Sequence, residues 1–252
     1  MMPLASRSPG TPPAVVFDRV GYRHGSGFSI EEVSFPVAAG ESVGLVGRNG
    51  AGKTTLLRCL LDFTRPQHGC IRVLGLDSRD PAARAGVAWV PERFVPPAHL
   101  TGDEYLRLQA GLRGRPYDPR AARACLESLD FDAAALALPA RQYSKGMAQA
   151  LGLAAALLAE APLTVLDEPT SGLDPAVRAR TRAALRKVRE SGRALLFSSH
   201  ALDDVASLCD RVVVMHAGRR ILDATPAQWL ARHPTGTPLE AAFLETIGQR
   251  SA

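Results

Sequence analysis

The sequence predicts an α/β fold: a mainly parallel sheet, an N-terminal antiparallel β subdomain and an inserted helical subdomain. Three observations carry this prediction. The stretch Gly47-Arg48-Asn49-Gly50-Ala51-Gly52-Lys53-Thr54-Thr55 fits G-x-x-x-x-G-K-[ST]. It follows the apolar run Val43-Gly44-Leu45-Val46 and leads into Leu56–Leu61, the strand–loop–helix order of a P-loop NTPase core. Leu163-Thr164-Val165-Leu166 is a continuous apolar run, as in a parallel strand buried on both faces. Strand-like runs precede the glycine loop, whereas residues 99–160 read as helical.

Taken in order, Ala14–Val20 reads as a first strand, with Tyr22 following at once, and Phe28–Val37 as a second. Ala39-Gly40-Glu41 turns into the strand that feeds the glycine loop. After the first helix, Pro66–Gly69 reads as a turn, and Ile71–Leu74 and Val87–Val90 as short strands. Thr101-Gly102-Asp103-Glu104 is a capping box, and Pro119–Leu129 a further helix. A third helix begins at Ser144 and ends before Pro162; it is apolar almost all round, hence largely buried. Pro175–Glu190 is an Arg-rich amphipathic helix, Ala194–Phe197 a strand, and Leu202–Leu208 a helix. Arg211–His216 and Arg219–Leu222 flank Ala217-Gly218 as a strand pair, and Leu239–Ile247 closes the chain as a helix. The expected division is a loose arm over 1–13, a nucleotide core over 14–98 and 161–225, a helical subdomain over 99–160 and a tail over 226–252.

At 252 residues the chain can bury one sizeable core. The net charge of +5 is carried mostly by Arg, with Lys only at Lys53, Lys145 and Lys187. No basic run reaches five residues, so the charge reads as a dispersed solvated surface and no nucleic-acid partner is expected. Cys59, Cys70, Cys125 and Cys209 lie far apart, which speaks against a metal site or a disulfide framework and for a reduced cytoplasmic setting. The longest apolar run, Ala150–Ala159, is too short to cross a bilayer. The Pro- and Ser-rich N-terminus lacks the apolar stretch of a signal peptide.

The glycines let the loop fold so that successive N–H groups point at one phosphate, and the following helix adds the positive end of its dipole. Gly47, Asn49, Gly50, Ala51 and Gly52 form this cradle. Lys53 is expected between the β- and γ-phosphates, the Thr54 hydroxyl on Mg²⁺ and Thr55 near the α-phosphate. Asp167 and Glu168 end the apolar strand Leu163–Leu166, which a parallel sheet delivers beside the γ-phosphate. Asp167 then holds Mg²⁺ through water, and Glu168 serves as general base toward the attacking water.

In these motifs and their order the sequence resembles the ATP-binding-cassette (ABC) family of ATPases, from about Val15 to Gly248. Asp167-Glu168-Pro169-Thr170-Ser171-Gly172-Leu173-Asp174-Pro175 is close to the family pattern, and Ser198-Ser199-His200 resembles its switch-histidine segment. Tyr143-Ser144-Lys145-Gly146-Met147-Ala148-Gln149 stands where the signature loop belongs. Here it departs from L-S-G-G-Q, in the manner of bacterial export-type cassettes.

The resemblance implies that ATP, with Mg²⁺, is clamped between the phosphate loop of one cassette and Ser144 and Gly146 of a second. That second cassette is another copy or a sister chain. His200 then hydrogen-bonds the γ-phosphate and orients Glu168, and Asp174 couples the two sites. Read without the family, Ser144 is an N-cap, and Asp174 caps the helix that opens at Pro175. Tyr22 resembles the aromatic that stacks on adenine; a core or surface tyrosine fits the spacing equally. At Glu92 the family carries Gln, so this carboxylate either ligates Mg²⁺ or faces away from the nucleotide.

The implied protein is an ATP-hydrolysing subunit that powers a separate polytopic membrane permease, with export the favoured direction. It would lie on the cytoplasmic face of the cell membrane. The rival is a soluble cassette ATPase acting on nucleic acid or the ribosome. Such proteins carry a coiled-coil insertion or two cassettes in one chain; here there is one phosphate loop, roughly ninety residues ahead of the signature.

Overall fold

The computed structural model describes residues 12–25 and 27–248. The chain begins with strands β1 (Val15–His24), β2 (Phe28–Val37) and β3 (Ser42–Val46), then helix α1 (Lys53–Leu60). Strands β4 (His68–Val73) and β5 (Leu76–Asp77), helix α2 (Pro81–Ala85) and strand β6 (Val87–Val90) follow. Three helices come next: α3 (Gly102–Leu112), α4 (Pro119–Ser128) and α5 (Lys145–Leu158). The rest is β7 (Leu163–Asp167), α6 (Pro175–Glu190), β8 (Ala194–Ser199), α7 (Leu202–Leu208), β9 (Arg211–His216), β10 (Arg219–Ala224), α8 (Pro226–Leu230) and α9 (Leu239–Gly248).

The first sheet is antiparallel, in the order β2-β1-β4-β5. Val15, Phe17 and Val20 of β1 and Val33, Phe35 and Val37 of β2 are buried, and they pack in one cluster with Leu56, Leu57 and Leu60 of α1. Two expectations need correction here. Strand β1 does not stop at Val20; register shifts on either side of that residue absorb the break, and pairing runs through Tyr22 opposite Ile30. The residues read as a turn at Pro66–Gly69 include the start of β4. Gly69 sits at φ +73, and a Cβ there would lie 2.2 Å from the carbonyl oxygens of Asp18 and Arg19. It is a strand glycine at a close backbone approach.

The second sheet has six strands in the order β10-β9-β3-β8-β7-β6, parallel except for the β9–β10 hairpin. Every residue of β3, β7 and β8 is buried, which is why their sequences run apolar without alternation. Strand β3 lies between β9 and β8, and β8 pairs with β7, setting Asp167 opposite Ser198. The loops after β3, β6, β7 and β8 therefore leave the same C-terminal edge, where parallel sheets place their ligands.

Helices α3, α4 and α5 pack around Leu106, Leu126, Phe131, Leu151 and Leu153. The capping box at α3 is formed: Thr101 Oγ1 accepts the Glu104 N–H at 3.2 Å, and Glu104 Oε2 accepts the Thr101 N–H at 2.8 Å. In the tail the indole of the buried Trp229 donates to Thr246 Oγ1 at 3.0 Å, tying α8 to α9. Helices α2 and α8 and strand β5 have no counterpart in the sequence pattern. Two to five residues are too few to show a period. Their start signals were nevertheless present, in Asp80-Pro81 and Thr225-Pro226.

The four cysteines are free, and burial pushes the Cys59 and Cys125 thiols up to about 11, away from thiolate chemistry. Among the described residues no helix is long and apolar enough to cross a membrane.

Candidate nucleotide site

The glycine loop is shaped by contacts that only glycine permits. A Cβ on Gly47 would come within 2.5 Å of the Met215 carbonyl oxygen, and Gly50 and Gly52 adopt φ of +80 and +104. Gly52 is the N-cap of α1 and no side chain caps that helix, so its first-turn N–H groups are left for an external acceptor.

Above this loop lies a cavity of about 530 Å³ lined by Asn49, Gly50, Ala51, Gly52, Lys53, Thr54, Thr55, Glu92, Glu168, Ser171 and His200. Lys53 is buried, and its ammonium donates to the Gly47 carbonyl at 2.7 Å and lies 3.4 Å from Glu168 Oε1. The other carboxylate oxygen, Glu168 Oε2, is 2.7 Å from His200 Nδ1 and accepts the His200 backbone N–H at 3.3 Å. Lysine, glutamate and histidine thus form one chain of contacts across the cavity floor. The Glu168 carboxylate has a buried cation on one side; on the other, the half-exposed imidazole donates through Nδ1–H and keeps Nε2 free.

Glu168 adopts φ +47, a left-handed conformation disfavoured for a residue with a Cβ. Its surroundings hold it there. The Glu168 N–H lies 2.9 Å from Ser198 Oγ and 3.2 Å from Ser198 O, and its own carbonyl accepts the Ser171 N–H at 3.0 Å. The same Ser198 hydroxyl donates to Asp167 Oδ1 at 2.5 Å. Asp167, 2% exposed, also accepts from Thr54 Oγ1 at 3.2 Å, so strand β7 is stitched to the start of α1.

The structure brings most of the expected residues together and leaves four apart within a single chain. Glu92, two residues beyond the end of β6, is among the residues that line the cavity. Gly47 and Asp167 lie beneath the cavity, joined to it through Lys53 and Thr54. Ser144 and Gly146 line a second cavity, of about 640 Å³, which shares Glu92 and Ser171 with the first. Ser144 caps α5, accepting the Met147 N–H at 3.2 Å. Asp174 caps α6, accepting from Ala176 and Val177 at 3.0 and 3.1 Å.

Tyr22 lines neither of these cavities. It borders a third, of about 610 Å³, between β1, β2 and the start of β4, where its hydroxyl lies 3.3 Å from His24 Nδ1. Sequence reasoning missed Ser171 and the bridging role of Ser198. A hydroxyl residue closing a fully buried apolar strand was the available signal for Ser198, since a buried hydroxyl requires partners.

A glycine loop between strand and helix, a buried lysine on its carbonyls and an acidic pair at a nearby parallel strand end define a nucleoside-triphosphate-binding α/β domain. The family model for the ABC transporter matches residues 30–171, and the chain belongs to that family. It is 37% identical over 211 residues to an uncharacterized ABC transporter ATP-binding protein of Nostoc sp., covering 82% of this chain and 63% of the relative. It is 36% identical over 225 residues to the Nod factor export ATP-binding protein I of Paraburkholderia xenovorans, covering 86% and 73%. Among solved structures, the ATP binding subunit of an ABC transporter superposes with a TM-score of 0.85 at 28% identity, over 92% of this chain and 99% of that one. The chain spans 63%, 66% and 58% of the first three curated relatives it matches, under two thirds of their length.

Proposed function

We propose that this chain binds and hydrolyses ATP as the motor subunit of a membrane exporter. The observation that carries the reading is the Lys53–Glu168–His200 chain of contacts, set in the cavity that the glycine loop lines. In this reading the loop N–H groups and Lys53 hold the phosphates, Thr55 lies near the α-phosphate, and Tyr22 stacks on the base. Glu168 takes a proton from the attacking water, and the free Nε2 of His200 contacts the γ-phosphate.

The residues present suit Mg²⁺. Thr54 Oγ1 and Asp167 Oδ1 are hard oxygen donors 3.2 Å apart. Among the described residues no group of three or more His, Cys, Asp or Glu is arranged to hold a metal alone. A hydroxyl beside a carboxylate suits a cation that takes its other ligands from phosphate and water. Mg²⁺ would supply charge neutralisation at the β- and γ-oxygens.

Glu92 adds a further carboxylate to the same cavity. If its charge only repels the phosphates, Glu92→Gln leaves steady-state ATP hydrolysis intact or raises it. A collapse of turnover in that variant makes the carboxylate an essential metal ligand.

Two cassettes are taken to close head to tail over ATP, with Ser144 and Gly146 of one facing the phosphates of the other and Asp174 reaching across. Gly146 supports this. A Cβ there would meet only Ser144 Oγ, at 3.9 Å, so the chain's own packing does not require glycine in this first helical turn. Gly146→Ala is expected to leave the isolated chain as stable or up to ~1 kcal/mol more stable, from helix propensity. The same change should weaken ATP-driven pairing. Thermal melting and size-exclusion chromatography with ATP separate the two effects; equal pairing by the variant removes Gly146 from the interface.

The permease is expected to engage the helical subdomain over 99–160 and the loop Glu92–Ala98, where Val95, Leu108 and Leu112 are exposed. In this reading the chain lies on the inner face of the cell membrane. Export is favoured over action on nucleic acid because a curated relative is named for export and the basic charge is dispersed. The reading is tested by assaying the purified chain for Mg²⁺-dependent ATP hydrolysis and for co-purification of a polytopic membrane protein from its own cells. Absence of hydrolysis, or a nucleic-acid partner instead, counts against it.

A further inference from the structure

We infer that Asp204 is a positioning residue for hydrolysis: a buried carboxylate that locks together the two segments carrying Glu168 and His200. The inference rests on the hydrolytic role proposed for that pair. Asp204 lies in the first turn of α7, is 1% exposed, and touches no residue that lines the nucleotide cavity through a side-chain bond. Its Oδ2 accepts hydrogen bonds from Thr170 Oγ1 and, at 3.2 Å, from Ser199 Oγ. Its Oδ1 accepts from Arg182 Nε at 2.5 Å. Thr170 stands two residues after Glu168, and Ser199 immediately before His200. Arg182 belongs to α6, the helix that Asp174 caps.

One carboxylate therefore ties the β7 exit, the β8 exit and α6 at a single point. The arrangement has a physical reason. Glu168 sits at φ +47, and such a conformation persists only where neighbours over-determine it. Ser198 holds the Glu168 N–H from one side. The turn that follows is held at Thr170, itself 2% exposed, and Asp204 is the acceptor that holds it. A buried carboxylate with two hydroxyl donors and one guanidinium is fully partnered and strongly localised. Its loss would free the turn after Glu168 and the residue before His200 together, loosening their 2.7 Å contact while leaving the glycine loop untouched.

The test is steady-state ATP hydrolysis by the full chain with Mg²⁺, with melting temperatures alongside. Asp204→Asn, which keeps the shape and removes the charge, is expected to lower kcat roughly tenfold or more with KM for ATP within about threefold, as for a displaced catalytic group. Thr170→Val removes the hydroxyl at constant volume and should act in the same direction; Thr170→Ser should recover most of that loss. The double variant Asp204→Asn with Thr170→Val should be no slower than Asp204→Asn alone. A kcat within twofold of the parent in either single variant, or a rise in KM that accounts for the whole effect, overturns the assignment. Glu168→Gln in the same assay separates the two levels. If it retains turnover, the role of Glu168 falls; if it is inactive while Asp204→Asn and Thr170→Val are not, only the positioning role falls.

Discussion

Glu168→Gln is expected to abolish multiple turnover of ATP while leaving ATP binding intact. The change is nearly isosteric and keeps an oxygen for Lys53 or an acceptor for His200, so the cavity floor should persist. It removes the carboxylate proposed to take the proton. General-base catalysis contributes about 10²–10⁴-fold, and the loss should fall in kcat, with KM little changed. Bound, unhydrolysed ATP should then be recoverable from the purified variant. Turnover within tenfold of the parent would mean that a carboxylate at this position does not act as base.

The second large effect is expected from Lys53→Ala. This ammonium is buried and has two tasks on one side chain: it joins the Gly47 carbonyl at 2.7 Å and lies 3.4 Å from Glu168. Its removal takes away the one lysine or arginine among the described residues that line the cavity and leaves a buried Glu168 without it. By comparison with loss of one preorganised electrostatic donor, the cost in the transition state is about 3 kcal/mol, or more than a hundredfold in kcat/KM. Lys53→Arg should not rescue it, because a planar fork cannot occupy the place of a compact ammonium in so enclosed a site. Recovery of kcat/KM to within a few-fold by arginine would show that charge alone suffices.

The sequence made much of this legible, for identifiable reasons. Phe28–Val37, Val87–Val90, Pro175–Glu190 and Leu202–Leu208 agree with β2, β6, α6 and α7 end to end. Each carries its own boundary chemistry or a clear run of apolar residues. The glycine loop was legible because all of its groups are neighbours in sequence. What escaped depends on pairing between distant strands. Ser198 meets Asp167 only because β8 lies beside β7, and Asp204 meets Thr170 across 34 residues of sequence. No local pattern encodes either meeting. Tyr22 shows the same limit from the other side: no local pattern says which cavity it borders, and on β1 it stands beside His24, two residues along the same strand, at a cavity the glycine loop does not line.

The position of Ser144 and Gly146 bears on the central claim. Within one chain they border a cavity next to the nucleotide site and contribute nothing to the loop that cradles it. The proposed ATP-driven pair of cassettes would give those residues a ligand, and the open space around Gly146 a use.

The most direct measurement is the mass in solution of the Glu168→Gln chain, by light scattering, without nucleotide, with ATP and Mg²⁺, and with ADP and Mg²⁺. The account predicts the mass of one 26.8 kDa chain without nucleotide and with ADP, and of two chains with ATP. A single-chain mass under all three conditions, at concentrations where ATP is shown to be bound, would contradict it.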